Sequence, residues 1–166
     1  MIMSKTEQNL WEAFAGESQA NRKYLAFAEK ADREGHAQAA KLFRAAAHAE
    51  TVHAHAHLRA LKAVRDTAAN LKEAIAGETH EFKNMYPGMI STAKEEEHKQ
   101  AERSFMYANE VEKTHAALYQ KALDSLENPT DTDYYVCKVC GHTHENEAPE
   151  KCPVCGADKM AFDKVD

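Results

Sequence analysis

Glu50-Thr51-Val52-His53 and Glu112-Lys113-Thr114-His115 have the same Glu-x-x-His form and stand 62 residues apart. On a helix that spacing puts a carboxylate and an imidazole on one face, one turn apart. The same offset relates His36 to His98, Phe43 to Phe105 and Leu61 to Leu123, so the motif belongs to an internal repeat of helical hairpins. Residues 4 to 127 are rich in Ala, Glu, Lys and Leu with one proline, which suits long helices rather than strands. Stepping by four and three, the first helix presents Leu10, Phe14, Glu17, Asn21 and Tyr24. The second presents Ala39, Phe43, Ala46, Glu50, His53 and His57, and the fourth Ala101, Phe105, Ala108, Glu112, His115 and Tyr119. Four helices pack as an all-α bundle, with carboxylates where leucines would be expected.

Tyr24 maps in register onto Tyr86, but Glu17 maps one residue off, onto Glu78. The third helix therefore carries one extra residue between Glu78 and Tyr86, and a bulge or kink near Met85-Tyr86-Pro87 is expected. Gly35 closes the first hairpin turn, whereas its counterpart is Glu97, a residue less tolerant of a left-handed cap.

An ionised glutamate facing a bundle core is costly unless a positive charge meets it. No inward Arg or Lys stripe does so here, which leaves metal. Glu17 and Glu78, with the two Glu-x-x-His pairs, form the recurring di-metal arrangement of helical bundles, and four Glu with two neutral His balance two divalent ions. A single Glu-x-x-His is more often solvated surface, but two at repeat-related positions with matching partner glutamates are not readily a coincidence. Glu81, one turn beyond Glu78, has Ala20 as its counterpart and is a fifth carboxylate. A ferric pair favours oxygen anions and a ferrous pair imidazole, so Glu81 and His53 are candidates to exchange at one iron; the bland alternative is an outward Glu81 beside the kink. Tyr24 and Tyr86 suit either hydrogen bonding to a ligand carboxylate or core packing. His57 reads as a core histidine before it reads as half of a zinc pair with His53, and Glu95-Glu96-Glu97 as a solvated helix end.

All four cysteines lie in Cys137-Lys-Val-Cys140-Gly141 and Cys152-Pro-Val-Cys155-Gly156. Two CxxCG knuckles signal one tetrahedral metal site, and the spacing alone leaves Fe and Zn open. Residues 134–166 are too few for an apolar core, so metal binding and folding are expected to be coupled. Polar Glu127 to Asp133, with Pro129, reads as the break, which gives a helical domain at 1–127, a linker at 128–133 and a cysteine domain at 134–166. Net charge of -6 and a pI near 5.9 disfavour nucleic acid and anionic membrane as partners. No long apolar run or secretory signal is evident, and cytoplasmic location is expected.

Across nearly the whole chain these pieces resemble the rubrerythrin family. The matching residues are Glu17-Ser-Gln-Ala-Asn-Arg-Lys-Tyr24, Glu50-Thr-Val-His53, Gly77-Glu78-Thr-His-Glu81-Phe82 with Met85-Tyr86-Pro87, Glu112-Lys-Thr-His115 and both knuckles. The resemblance implies a ferritin-like bundle followed by a rubredoxin-like domain. It implies a di-iron site on Glu17, Glu50, His53, Glu78, Glu81, Glu112 and His115, and a single iron on Cys137, Cys140, Cys152 and Cys155. It also implies reduction of hydrogen peroxide to water in oxidative-stress defence, with electrons passing through the cysteine-bound iron from a nicotinamide-dependent reductase. Glu81, His53 and Tyr24 are the candidate catalytic residues. The competing readings are a ferritin-like iron store, disfavoured by the attached cysteine module, and a structural zinc protein, which colour would distinguish.

The connection between the second and third helices is short for such a bundle, in which those helices run parallel. With helix ends near Asp66 and Asn70, a single chain must cross about 36 Å between them. The linker Thr67-Ala68-Ala69 with its flanks reaches about 17 Å at most. An antiparallel hairpin would leave Glu50 and Glu78 about 12 Å apart in level. A domain-swapped homodimer is expected, in which the first two helices of one chain complete the bundle with the last two of another. Helix ends near Leu61 and Lys72 would remove that need.

Overall fold

The computed structural model describes residues 3–166, which pack as two compact units dividing between Arg65 and Asp66.

The first unit is a helical hairpin of α1 (Lys5–Arg33) and α2 (Ala37–Leu61). Ser4 opens α1 with a capping box: its hydroxyl accepts from the Glu7 N–H while the Glu7 carboxylate accepts from the Ser4 N–H. Gly35, at φ 82°, makes the left-handed turn into α2. Ala40, Ala47 and Ala54 form a buried line on α2, and Ala28 and Ala31 are buried on α1. This buried line lies one residue round from Ala39, Ala46 and His53, the positions expected at the seam. Asn21 ties the hairpin across its middle, donating to the Ala47 carbonyl at 2.7 Å and to Thr51 Oγ1 at 2.8 Å.

α2 does not run to Asp66. It ends at Leu61, where Lys62 turns left-handed at φ 53°, and the next helix starts at Thr67 because the Asp66 side chain accepts from the Ala69 N–H at 2.8 Å. Thr67-Ala68-Ala69 is therefore the first turn of a helix, and the connection is Lys62 to Asp66.

The second unit starts with α3 (Thr67–His80), a π-helical turn (Glu81–Met85) and α4 (Tyr86–Glu95), which pack along α5 (Lys99–Asp124). The π turn accommodates the extra residue that the repeat demands, and it begins at Glu81. Beyond it the register recovers: Tyr86 and Phe105 stand 6.3 Å apart, as Tyr24 and Phe43 do in the first unit. Glu97 adopts the left-handed cap at φ 56° that Gly35 takes in the first hairpin, at a cost on the order of 1 kcal/mol.

After α5 the chain forms a three-stranded antiparallel sheet of β1 (Tyr134–Cys137), β2 (Thr143–Glu145) and β3 (Phe162–Val165), with β1 in the centre. Its small core is Cys137, Ala148, Cys152 and Phe162. β2 packs against α5, where Lys121 Nζ meets both Glu145 carboxylate oxygens at 2.8 Å. Among the described residues no helix is long and apolar enough to cross a membrane.

Candidate metal centres

Each helical unit assembles one cluster of metal-binding side chains. In the first, ligand atoms of Glu17, Glu50 and His53 all lie within 4.8 Å of one another. In the second, Glu78, Glu112 and His115 do the same. The one-turn spacing of each Glu-x-x-His has the expected local result, with His53 Nδ1 2.9 Å from Glu50 Oε2 and His115 Nδ1 2.7 Å from Glu112 Oε2. Two carboxylates and one imidazole in each half suit one divalent ion apiece.

The halves differ in detail. His53 has a side chain 56% exposed, and its Nδ1 contact with Glu50 is its only polar bond among the described residues. His115 is 27% exposed, is 3.9 Å from Glu78 Oε1 and is held on its other ring nitrogen as well, by Thr143 Oγ1 at 3.0 Å. Glu81 stands beside the second cluster but outside its 4.8 Å group; burial, then the Glu112 charge, raises its carboxyl above the ordinary range. Tyr86 faces this half, since burial and the charges of Glu81, Glu112 and Glu78 push its phenol upward. Tyr24 packs against Phe27 and Phe43 at 6.3 Å from each. His57 is half-buried and His55 exposed.

Crowded carboxylates leave a signature in the metal-free protein. Burial, then repulsion from Glu112, raises the Glu78 carboxyl from 4.5 to about 7. A carboxyl raised on folding binds its proton more tightly in the folded state, so stability declines as pH rises from about 4.5 to about 7 and then levels off. Glu78→Gln is expected to leave the melting temperature of chelated protein unchanged near pH 4 and to raise it by a few degrees at pH 8. Thermal unfolding followed by circular dichroism at the two pH values checks this; an equal shift at both would contradict it.

The third centre is built by the knuckles. Gly141 N–H donates to the Cys137 carbonyl at 2.8 Å and Gly156 N–H to that of Cys152 at 2.9 Å, each glycine at positive φ, which folds both loops alike around the sulfurs. Cys137 Sγ lies 3.7 Å from Cys155 Sγ, and Cys140 Sγ 3.5 Å from Cys152 Sγ. The sulfur edge of a tetrahedral site with bonds near 2.3 Å is about 3.8 Å, so the four thiols fit a metal closely. Burial, more than any other cause, pushes the Cys140 thiol up. A bound cation would reverse that preference toward thiolate.

Residues 8–123 match the family model for rubrerythrin, and residues 135–163 match that for the rubrerythrin rubredoxin-like domain. The chain belongs to the rubrerythrin family. Rubrerythrin-2 of Clostridium acetobutylicum is 40% identical, with 95% of each chain covered. Nigerythrin of Nitratidesulfovibrio vulgaris is 34% identical over 96% of this chain and 86% of its own, and the rubrerythrin of Porphyromonas gingivalis is 34% identical over 98% and 90%. Solved structures of nigerythrin in mixed-valent and fully reduced, all-ferrous states each superpose with a TM-score of 0.60, at 33% and 32% identity. They cover 99% of this chain and 88% and 89% of theirs. As a rubrerythrin, the chain combines a ferritin-like di-iron domain with a rubredoxin-like four-cysteine iron site and is an iron-dependent oxidoreductase.

Proposed function

We propose that this protein is a peroxidase that reduces hydrogen peroxide to two waters, taking two electrons and two protons per turnover. The electrons enter from a nicotinamide-dependent reductase and pass through the four-cysteine iron. The observation that carries the reading is the pairing, in one chain, of two repeat-related Glu/Glu/His clusters with a tetrathiolate site. When bound, the iron pair supplies the two electrons that cleave the peroxide bond.

The protein's own residues have distinct parts in this scheme. Glu17, Glu50, Glu78 and Glu112 hold the metals together with His115, and Cys137, Cys140, Cys152 and Cys155 hold the electron-transfer iron. Glu81 and His53 alternate as ligands, which frees a position for substrate. The exposure of His53, its single bond to Glu50 and the placement of Glu81 at the first residue of the π turn support that role. Tyr24 is assigned to steady a ligand carboxylate by hydrogen bonding.

Anaerobically prepared protein is expected to contain about three irons per chain, to be red, and to consume peroxide when supplied with reduced nicotinamide and a reductase. A colourless, zinc-containing protein without peroxide turnover would refute the reading.

The complete di-iron site is proposed to form in a domain-swapped homodimer, with α1 and α2 of one chain facing α3 to α5 of a second copy. Glu50 to Leu61 and Thr67 to Glu78 each span about 16 Å along their helices. A return crossing between parallel helices would need about 33 Å, whereas six residue steps from Leu61 to Thr67 reach about 20 Å. Among the described residues, those buried in the first unit are all alanines, and only Ala93 and Val111 are buried on the helices of the second, which agrees with larger side chains being covered by another copy. Mixing Glu17→Ala protein with Glu112→Ala protein tests the exchange. After unfolding and refolding together, the swapped mixture is expected to yield a dimer with one intact site and one doubly damaged site. A mixture in which every site retains single damage would contradict the swap.

A further inference from the structure

His115 is gripped from both sides. Its Nδ1 faces the carboxylates, 2.7 Å from Glu112 Oε2 and 3.9 Å from Glu78 Oε1, while its Nε2 lies 3.0 Å from Thr143 Oγ1 on β2 of the cysteine module. The pair lines a cavity of about 320 Å³ whose other walls include Leu71, Leu118 and Tyr134, and such a largely apolar setting strengthens a hydrogen bond. The repeat-related His53 has no such partner among the described residues.

We propose that Thr143 is a positioning residue for His115: it holds the imidazole by Nε2 so that Nδ1 is presented to the metal site, and makes His115 the fixed histidine of the pair. The inference rests on the di-iron reading above. A hydroxyl suits the task because it both donates and accepts. With a proton on Nδ1, Thr143 donates to Nε2. With Nδ1 committed to a metal, Nε2 carries the proton and Thr143 accepts it. A backbone carbonyl or a lysine in its place would satisfy only one of these forms.

The test uses full-length protein with the cysteine site left filled and the helical site emptied by a chelator. Co(II) is titrated in anaerobically against a competing chelator, and its visible absorption is followed. Thr143→Val is expected to bind Co(II) about 10 to 100-fold more weakly than the parent, as loss of a partner behind a metal-bound histidine generally does. Thr143→Ser, which restores the hydroxyl, is expected to bind as the parent. Lys121→Met removes a second tie between β2 and α5, the Lys121–Glu145 ion pair, without touching His115, and is expected to leave Co(II) affinity unchanged, with the absorption of the cysteine-bound metal intact in all variants. Parent-like binding by Thr143→Val, or equal weakening in Thr143→Ser or Lys121→Met, would overturn the positioning role while sparing the di-iron reading. Failure of the parent itself to bind Co(II) in the helical site would overturn both.

Discussion

Cys152→Ser is expected to abolish the red chromophore, unfold residues 134–166 and reduce electron delivery to the helical site to background, while the helices persist. The module has little else to hold it. Its apolar core is Cys137, Ala148, Cys152 and Phe162, so half of that core consists of metal ligands. Metal binding to such four-ligand sites contributes about 10 to 16 kcal/mol, more than so small an apolar cluster can replace. α1 to α5 instead depend on their own hairpin packing, and far-UV circular dichroism should retain the helical signal. Collapse of that signal would show that the helices need the module in order to fold.

Glu112→Ala and Glu50→Ala are expected to empty the helical site, whereas Glu81→Ala is expected to keep its iron and lose most peroxide turnover. The contrast follows from placement. Glu50 and Glu112 lie within the 4.8 Å groups, each in contact with its histidine, while Glu81 lies outside them. Removing a ligand present throughout lowers affinity, and removing one that enters only during the cycle lowers rate. Iron analysis separates the first outcome and stopped-flow oxidation by peroxide the second. Equal peroxidase rates in Glu81→Ala and the parent would end the ligand-exchange idea.

Much of this organisation is written in local pattern. The Glu-x-x-His pairs, the offset of Glu17 against Glu78 and the two knuckles are periodic or contiguous signals, and the chain places each where its period requires. The end of α2 is different. Leu58 to Arg65 has uniform helical propensity, and no glycine or proline marks a stop. The break depends on Lys62 accepting a left-handed conformation and on Asp66 capping the next helix, a competition between neighbouring caps that propensity alone does not rank. The Thr143–His115 contact joins residues 28 apart through the docking of a sheet on a helix, and no linear period encodes it. The buried alanine line beside the expected seam belongs to the same class: periodicity located the polar stripe, but which of two adjacent stripes is covered depends on the approach of the neighbouring helix.

The π turn at Glu81–Met85 also bears on how a repeated hairpin acquires asymmetry. One added residue in an α-helix rotates everything after it by about 100°, which would scramble the packing of a duplicated element. A wider turn absorbs that rotation within five residues, and the aromatic pair beyond it keeps the same 6.3 Å separation as its counterpart. A single inserted residue can therefore reshape one half of a symmetric scaffold beside Glu81 while the inherited core stays in phase, so that novelty at the centre and conservatism in the packing need not compete.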